Sequence, residues 1–230
     1  KWNDSKTKVL LHFGESKSQP LMIKTVLSFT DFDGVQANSS QVDEWLNFGK
    51  AEETFDRISR PEEWFGRCIL RTRDLWENEM SHLQVDHAAF KSEKQHDSVL
   101  NVFYTAWYHC LIHPSLASDA NFRYRGRDQK IHTAGHSVYH VFSLWDTYRA
   151  LHPLLTLTHR TRSREFVKSM LLQFKDGGRL PVWELGSSET NCMIGYHSVP
   201  VILEALQKGI LDDFDTAMLL QAVRNSSDLK

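Results

Sequence analysis

From about residue 41 onward, apolar positions recur near every third or fourth residue, the period of a helix, and no alternating stretch of any length interrupts them. Segments 41–57 and 62–83 are charged, with apolar residues such as Trp64, Ile69, Trp76 and Met80 near that spacing, and predict partly exposed helices. Segment 97–113 is apolar on nearly every side (Val99, Leu100, Val102, Phe103, Tyr104, Ala106, Trp107, Leu111, Ile112) and stops at Pro114. A helix of that kind is expected to be buried all round. Segment 137–152 repeats the design and ends at Pro153. A more amphipathic helix over 163–175 is closed by Gly177-Gly178. The next, 198–208, has Ser198 as its N-cap, Pro200 in its first turn and Gly209 at its end, and the last, 213–224, is acidic in its first turn. Only the beginning differs. Segments 8–13 and 22–30 are rich in β-branched and aromatic residues around the turn-like stretch 14–18, which predicts one or two strands with a break at Gly34.

Buried helices alternating with amphipathic ones predict a mainly α fold in concentric layers. A double ring of paired helices, an (α/α) barrel, fits better than a four-helix bundle, because the loops 117–135 and 177–196 are too long for bundle connections. An apolar fraction of 41% supports a packed core. With 27 basic against 29 acidic residues the net charge is −2, so no global basic field attracts nucleic acid. No apolar run is long enough to span a bilayer, and the first residues carry no signal-peptide core. Three widely spaced cysteines (Cys68, Cys110, Cys192) define no disulfide framework, and Cys110, within an apolar run, reads as a buried free thiol.

Loop 177–196 is the most informative stretch, since it places Glu184 and Glu189 among Trp183, Met193 and Tyr196. Glycosidic cleavage needs one protonated carboxyl to donate to the leaving oxygen and a second carboxylate to activate water or attack carbon. Aromatic surroundings keep such an acid protonated. The plainer reading is that both glutamates cap turns or pair with arginines. Loop 117–135 holds Asp119 and the run Arg123-Tyr124-Arg125-Gly126-Arg127-Asp128, whose arginines suit loop carboxylates or sugar hydroxyls better than nucleic acid. His109 and His113, and His132, His136 and His140, repeat at four-residue spacing, which can ligate a metal. Buried or cleft histidines satisfied by hydrogen bonds are the favoured reading, and no metal ligand is assigned. In 144–149, Asp146 and Arg149 can pair at i, i+3, or Trp145 can lie under a sugar face while Asp146 accepts from hydroxyls.

Together these stretches resemble glycoside hydrolase family 92, the calcium-dependent, inverting exo-α-mannosidases. The matching residues are 103–109 with His113-Pro114, Arg123 to Gly126 with Asp128, Gly135-His136, 142–157, and 180–200 with Glu189-Thr190 at its centre. The resemblance implies an N-terminal β-sandwich followed by linking helices and an (α/α)6 barrel. On that pattern residues 1–40 are the end of the sandwich, 41–96 the linking helices and 97–230 the first part of the barrel. It implies that Glu189 is the catalytic acid, that Trp145, Asp146, Arg149, Arg125, Trp183 and His197 contact substrate, and that the general base and the calcium ligands lie downstream. The implied reaction is removal of terminal α-linked mannose, α-1,2 in particular, from N-glycans or mannans. The implied substrate is a mannose-containing oligosaccharide or glycoprotein, and the implied compartment is periplasmic, cell-surface or secreted. Asn121 and Phe122 stand where Asp-Gly is usual, and Ser188 where asparagine is common. Another (α/α)-barrel glycosidase, or a non-catalytic carbohydrate-binding or scaffold protein, are the competing readings.

Overall fold

The structure, a computed structural model, describes residues 23–46, 61–86, 93–211 and 214–227. Three helices come first: α1 (Phe32–Trp45), α2 (Pro61–Met80) and α3 (Glu93–Cys110). Next are short strands β1 (Ser115–Leu116), β2 (Arg123–Arg125), β3 (Ile131–Thr133), β4 (Tyr139–His140) and β5 (Phe142–Ser143). The one-turn helix α4 (Leu144–Thr147) leads to α5 (Leu151–Thr158) and α6 (Arg160–Gly177). The chain continues through β6 (Trp183–Leu185) and β7 (Ser188–Glu189) to α7 (Ser198–Gln207) and α8 (Thr216–Ser227). The architecture is mainly α, as its pattern predicts.

Helix α6 is the centre of the core. Its Phe166, Val167, Met170, Leu171 and Phe174 meet Leu155 of α5, Val201, Ile202 and Ala205 of α7, and Leu219 and Ala222 of α8. The i, i+4 row from Phe166 through Met170 to Phe174 gives α6 one broad apolar face, and burying it is the main source of stability here. The glycine stop works as expected, one residue later: Gly178 takes a left-handed φ of 78° and returns its N–H to Phe174 O. Pro200 does sit in the first turn of α7, but the cap position is His197 rather than Ser198. Helix α8 starts at Thr216, where Asp215 Oδ1 accepts the N–H groups of Ala217 and Met218.

Several expectations are corrected. Residues 23–30 form no strand, and segment 8–13 lies outside the described residues. A helix starts well before residue 41, at Phe32, and Gly34 does not break it. Asp31 caps Gly34 N, and a Cβ at Gly34 would lie 2.1 Å from Asp119 Oδ2, so a glycine lets α1 approach loop 117–135. Segment 97–113 is not buried all round, because Val102 on α3 is 70% exposed, and Cys110 is only part-buried. Segment 137–152 is no helix: it holds β4, β5 and α4, and Pro153 lies in the first turn of α5 rather than ending a helix. Proline is tolerated there because those N–H groups have no intrahelical partner.

Candidate active site

The two long loops fold into hairpins. Strands β2 and β3 pair antiparallel, and β5, β6 and β7 form a three-stranded sheet in that order. The β6–β7 connection is a two-residue turn with positive φ at both Gly186 (56°) and Ser187 (66°). That is the turn whose twist matches a tight hairpin. The sheet brings separated stretches together. Ser143 faces Trp183, Phe142 faces Glu184, and Glu184 faces Glu189. Trp145 and Asp146 follow β5 directly, so the sheet gathers four of the chemically interesting side chains.

Glu189 is half-buried and held by main chain alone. Its Oε1 accepts from Trp183 N (2.9 Å) and Asn191 N (2.9 Å), and its Oε2 accepts from Val182 N (2.8 Å). Three charge-assisted bonds from backbone fix the carboxyl group and stabilise the anion left when a proton departs. Glu189 lines a small notch with Arg127, Arg179, Asn191 and Tyr196 among others, and no second carboxylate lines it.

Asp146 does not pair with Arg149. Its Oδ2 accepts instead from Ser143 Oγ at 2.6 Å. The Arg149 guanidinium lies over the Tyr148 ring (5.1 Å), and the His197 ring stacks on the same tyrosine (4.3 Å, 28°). Trp145 is part-exposed, as a sugar platform requires. Arg125 stands apart from this group. Its N–H groups donate to Phe29 O, Thr30 O and Gln129 O, tying the segment before α1 to the β2–β3 hairpin.

Two charged residues outside the predicted set shape the surroundings. The Arg127 guanidinium donates to Arg179 O (2.8 Å); burial lowers its pKa, and the charges of Glu189 and Glu184 act against that. Glu184 is fully buried; it accepts from Ser187 N and Val141 N, and burial pushes it up to about 7 against those two bonds. The sequence marks Glu184 only as a loop carboxylate, because the residue that covers it, Val141, lies 43 positions away.

The repeated histidine spacing builds no shared face. His132 is on β3 and bonds Asp128, His136 lies in the next turn and bonds Ser137 O, and His140 is buried on β4. Among the described residues, Glu79, His82 and His159 alone bring three ligand atoms within 4.8 Å of one another. Arg162 already takes both Glu79 oxygens (2.8 and 2.9 Å), and two imidazoles with one carboxylate do not suit calcium, which wants six to eight oxygens. This cluster therefore does not suit calcium. A cavity of about 530 Å³, lined by α2, the segment 110–116 and α6, does not include Glu189.

The family model described as the glycosyl hydrolase family 92 catalytic domain matches residues 50–230. The chain belongs to glycoside hydrolase family 92. Solved members superpose on it. The family GH92 α-mannosidase BT3965 from Bacteroides thetaiotaomicron is 30% identical, with a TM-score of 0.66 over 88% of this chain and 24% of its own. The same enzyme in complex with mannoimidazole matches 87% of this chain at the same score. The family GH92 inverting mannosidase BT2199 from Bacteroides thetaiotaomicron VPI-5482 is 26% identical, with a TM-score of 0.60 over 69% of this chain and 21% of its own. This GH92 chain thus spans about a quarter of the length of the solved relatives it matches, and it shares the helical fold of the corresponding part. Comparison with curated proteins gave no match.

Proposed function

We propose that this chain is the acid-bearing part of a GH92 exo-α-mannosidase. In this reading the enzyme removes terminal α-linked mannose, α-1,2 linked in particular, from N-glycans or mannans outside the cytoplasm. The observation that carries it is Glu189: it stands in the Glu-Thr motif and is fixed by three main-chain N–H groups on the sheet that also leads to Trp145 and Asp146. The relative BT3965 has been solved with mannoimidazole, which supports a mannose-shaped pocket in the same fold.

In this reading the chain contributes the first half of an inverting cleavage. Trp145 offers a face to the sugar ring, Asp146 accepts from its hydroxyls, and Arg149 and His197 are held around Tyr148 at the rim. Glu189 gives its proton to the glycosidic oxygen as the bond to the anomeric carbon breaks. The three N–H bonds then receive the negative charge. Water attacks from the opposite face and loses its proton to a second carboxylate. None of the described residues takes that part. Glu184 does not, since it is fully buried and closed to an attacking water.

The test is Glu189→Gln in the full-length protein. Loss of acid assistance should lower turnover of an unactivated mannobioside by roughly 10²–10⁴. The loss should be much smaller for an aryl mannoside whose leaving group needs no proton. Equal losses on both substrates would count against the acid role, and release of glucose rather than mannose would favour a different (α/α)-barrel glycosidase. Absence of any hydrolysis would leave a carbohydrate-binding or scaffold role.

A further inference from the structure

Among the described residues, five non-glycine positions have positive φ, and three of them donate their N–H to Glu184 or Glu189. Asn191 serves Glu189. Val141 (φ 65°) and Ser187 (φ 66°) serve Glu184, at 3.0 Å to Oε2 and 2.8 Å to Oε1. A left-handed backbone is costly for any side chain and most for a β-branched one, so Val141 stays there only if something over-determines it. The two turns are far apart in sequence and different in job. Val141 separates β4 from β5, which runs straight into Trp145 and Asp146. Ser187 closes the hairpin whose far strand carries Glu189. One buried carboxyl group therefore touches both the turn before the sugar-binding residues and the turn before the acid.

We propose that Glu184 is a positioning residue that locks these two turns together, so that Glu189 meets the leaving oxygen of a sugar held at Trp145 and Asp146. The inference rests on the acid role of Glu189 proposed above. A buried carboxyl is a costly way to fill a core, and what the two N–H bonds it accepts provide is fixed backbone geometry. Gln173 on α6 lies beside it and His140 Nδ1 stands 3.6 Å from Oε1, outside hydrogen-bond distance, so the two turn N–H groups are the bonds that hold the carboxyl.

Glu184→Gln keeps the size but offers one acceptor where two N–H groups need one each. Its amide N–H₂ must oppose either Val141 N or Ser187 N, and one turn is released. A shift near 1 Å in a catalytic group costs on the order of 10² in rate. In the full-length protein Glu184→Gln should therefore lower turnover of an unactivated mannobioside by roughly 10–10². As with Glu189→Gln, the loss should shrink on an activated aryl mannoside. The double variant Glu184→Gln/Val141→Gly should recover part of the loss, because glycine takes a positive φ without help. No loss, or an equal loss on both substrates while Glu189→Gln keeps its leaving-group dependence, would overturn the positioning role alone. If Glu189→Gln shows no such dependence, the acid reading falls and this one with it. Amide hydrogen exchange in the unmutated protein covers the case of a variant that does not fold. Both Val141 and Ser187 N–H should be strongly protected, and rapid exchange of either would also overturn the proposal.

Discussion

Glu184 and two buried histidines titrate in opposition, and their balance sets how this fold responds to acid. Burial lifts Glu184 to about 7, and lowers His140 and His152 to about 4 each. A carboxyl with a raised folded value contributes stability that is complete below its unfolded value, roughly 4.3, and is lost as pH rises through 7. A histidine with a depressed folded value contributes stability present above its unfolded value, roughly 6.5, and lost as pH falls through 4. Between about pH 4.5 and 6.5 the unfolded chain binds up to two protons on the histidines while the fold keeps one on Glu184. The net effect is that stability should fall on acidification, by about 1.4 kcal/mol per pH unit at most. His140 faces Glu184 at 3.6 Å, and the charge of Glu189 pushes Glu184 further up. Glu184→Gln removes the opposing carboxyl, so its denaturation profile should be about twice as steep as that of the unmutated protein over this range. Equal slopes for the two proteins would refute the assignment.

At the scale of elements, α2 is tied to α6 by a cluster the sequence pattern does not show. Glu79 accepts from both Arg162 nitrogens and lies 2.9 Å from His159 Nε2, while the His82 and His159 rings stack at 4.4 Å. Burial pushes Glu79 up, but the Arg162 bonds and charge outweigh it and hold the carboxyl below its ordinary value. Glu79→Ala leaves the buried His159 and the half-buried Arg162 without that acceptor and should cost about 1–3 kcal/mol in chemical denaturation. Calorimetric titration with Zn²⁺ should show no heat that this substitution removes, since the guanidinium already fills the site. The helices α2, α3, α6, α7 and α8 were legible because their apolar periodicity persists over ten residues or more. Segment 137–152 was not, and the reason is physical. Phe142 and Leu144 are buried in the cluster centred on α6, and an apolar run has no period to distinguish strand from helix. The break at Val141 depends on Glu184, which periodicity within 137–152 cannot reveal. Glu189 stands out in the sequence by its motif alone, while the three N–H groups around it became visible only once β6 and β7 paired.

At the scale of the whole molecule, the exposed apolar side chains bear on what the isolated chain can do. Val102 on α3, Leu157 on α5 and Ile194 before α7 are 70%, 69% and 79% exposed, with Phe65, Ile69 and Leu75 open along α2. Exposed apolar side chains of this size favour association. Catalysis points the same way. An inverting pair stands roughly 6.5–9.5 Å apart on opposite faces of the sugar, and the notch at Glu189 is lined by no second carboxylate. Glu184 sits directly across the hairpin from Glu189, on the same short loop, and is closed off from solvent. We therefore expect the isolated 230-residue chain to bind a hydrophobic dye, to self-associate in light scattering, and to release no mannose from an activated α-mannoside, with or without added calcium. Full-length protein assayed alongside should be active and should lose that activity on chelation, with calcium restoring it better than zinc. Robust turnover by the isolated chain, or turnover that survives Glu189→Ala, would show that it carries both carboxylates, and that the base lies among residues assigned no such role here.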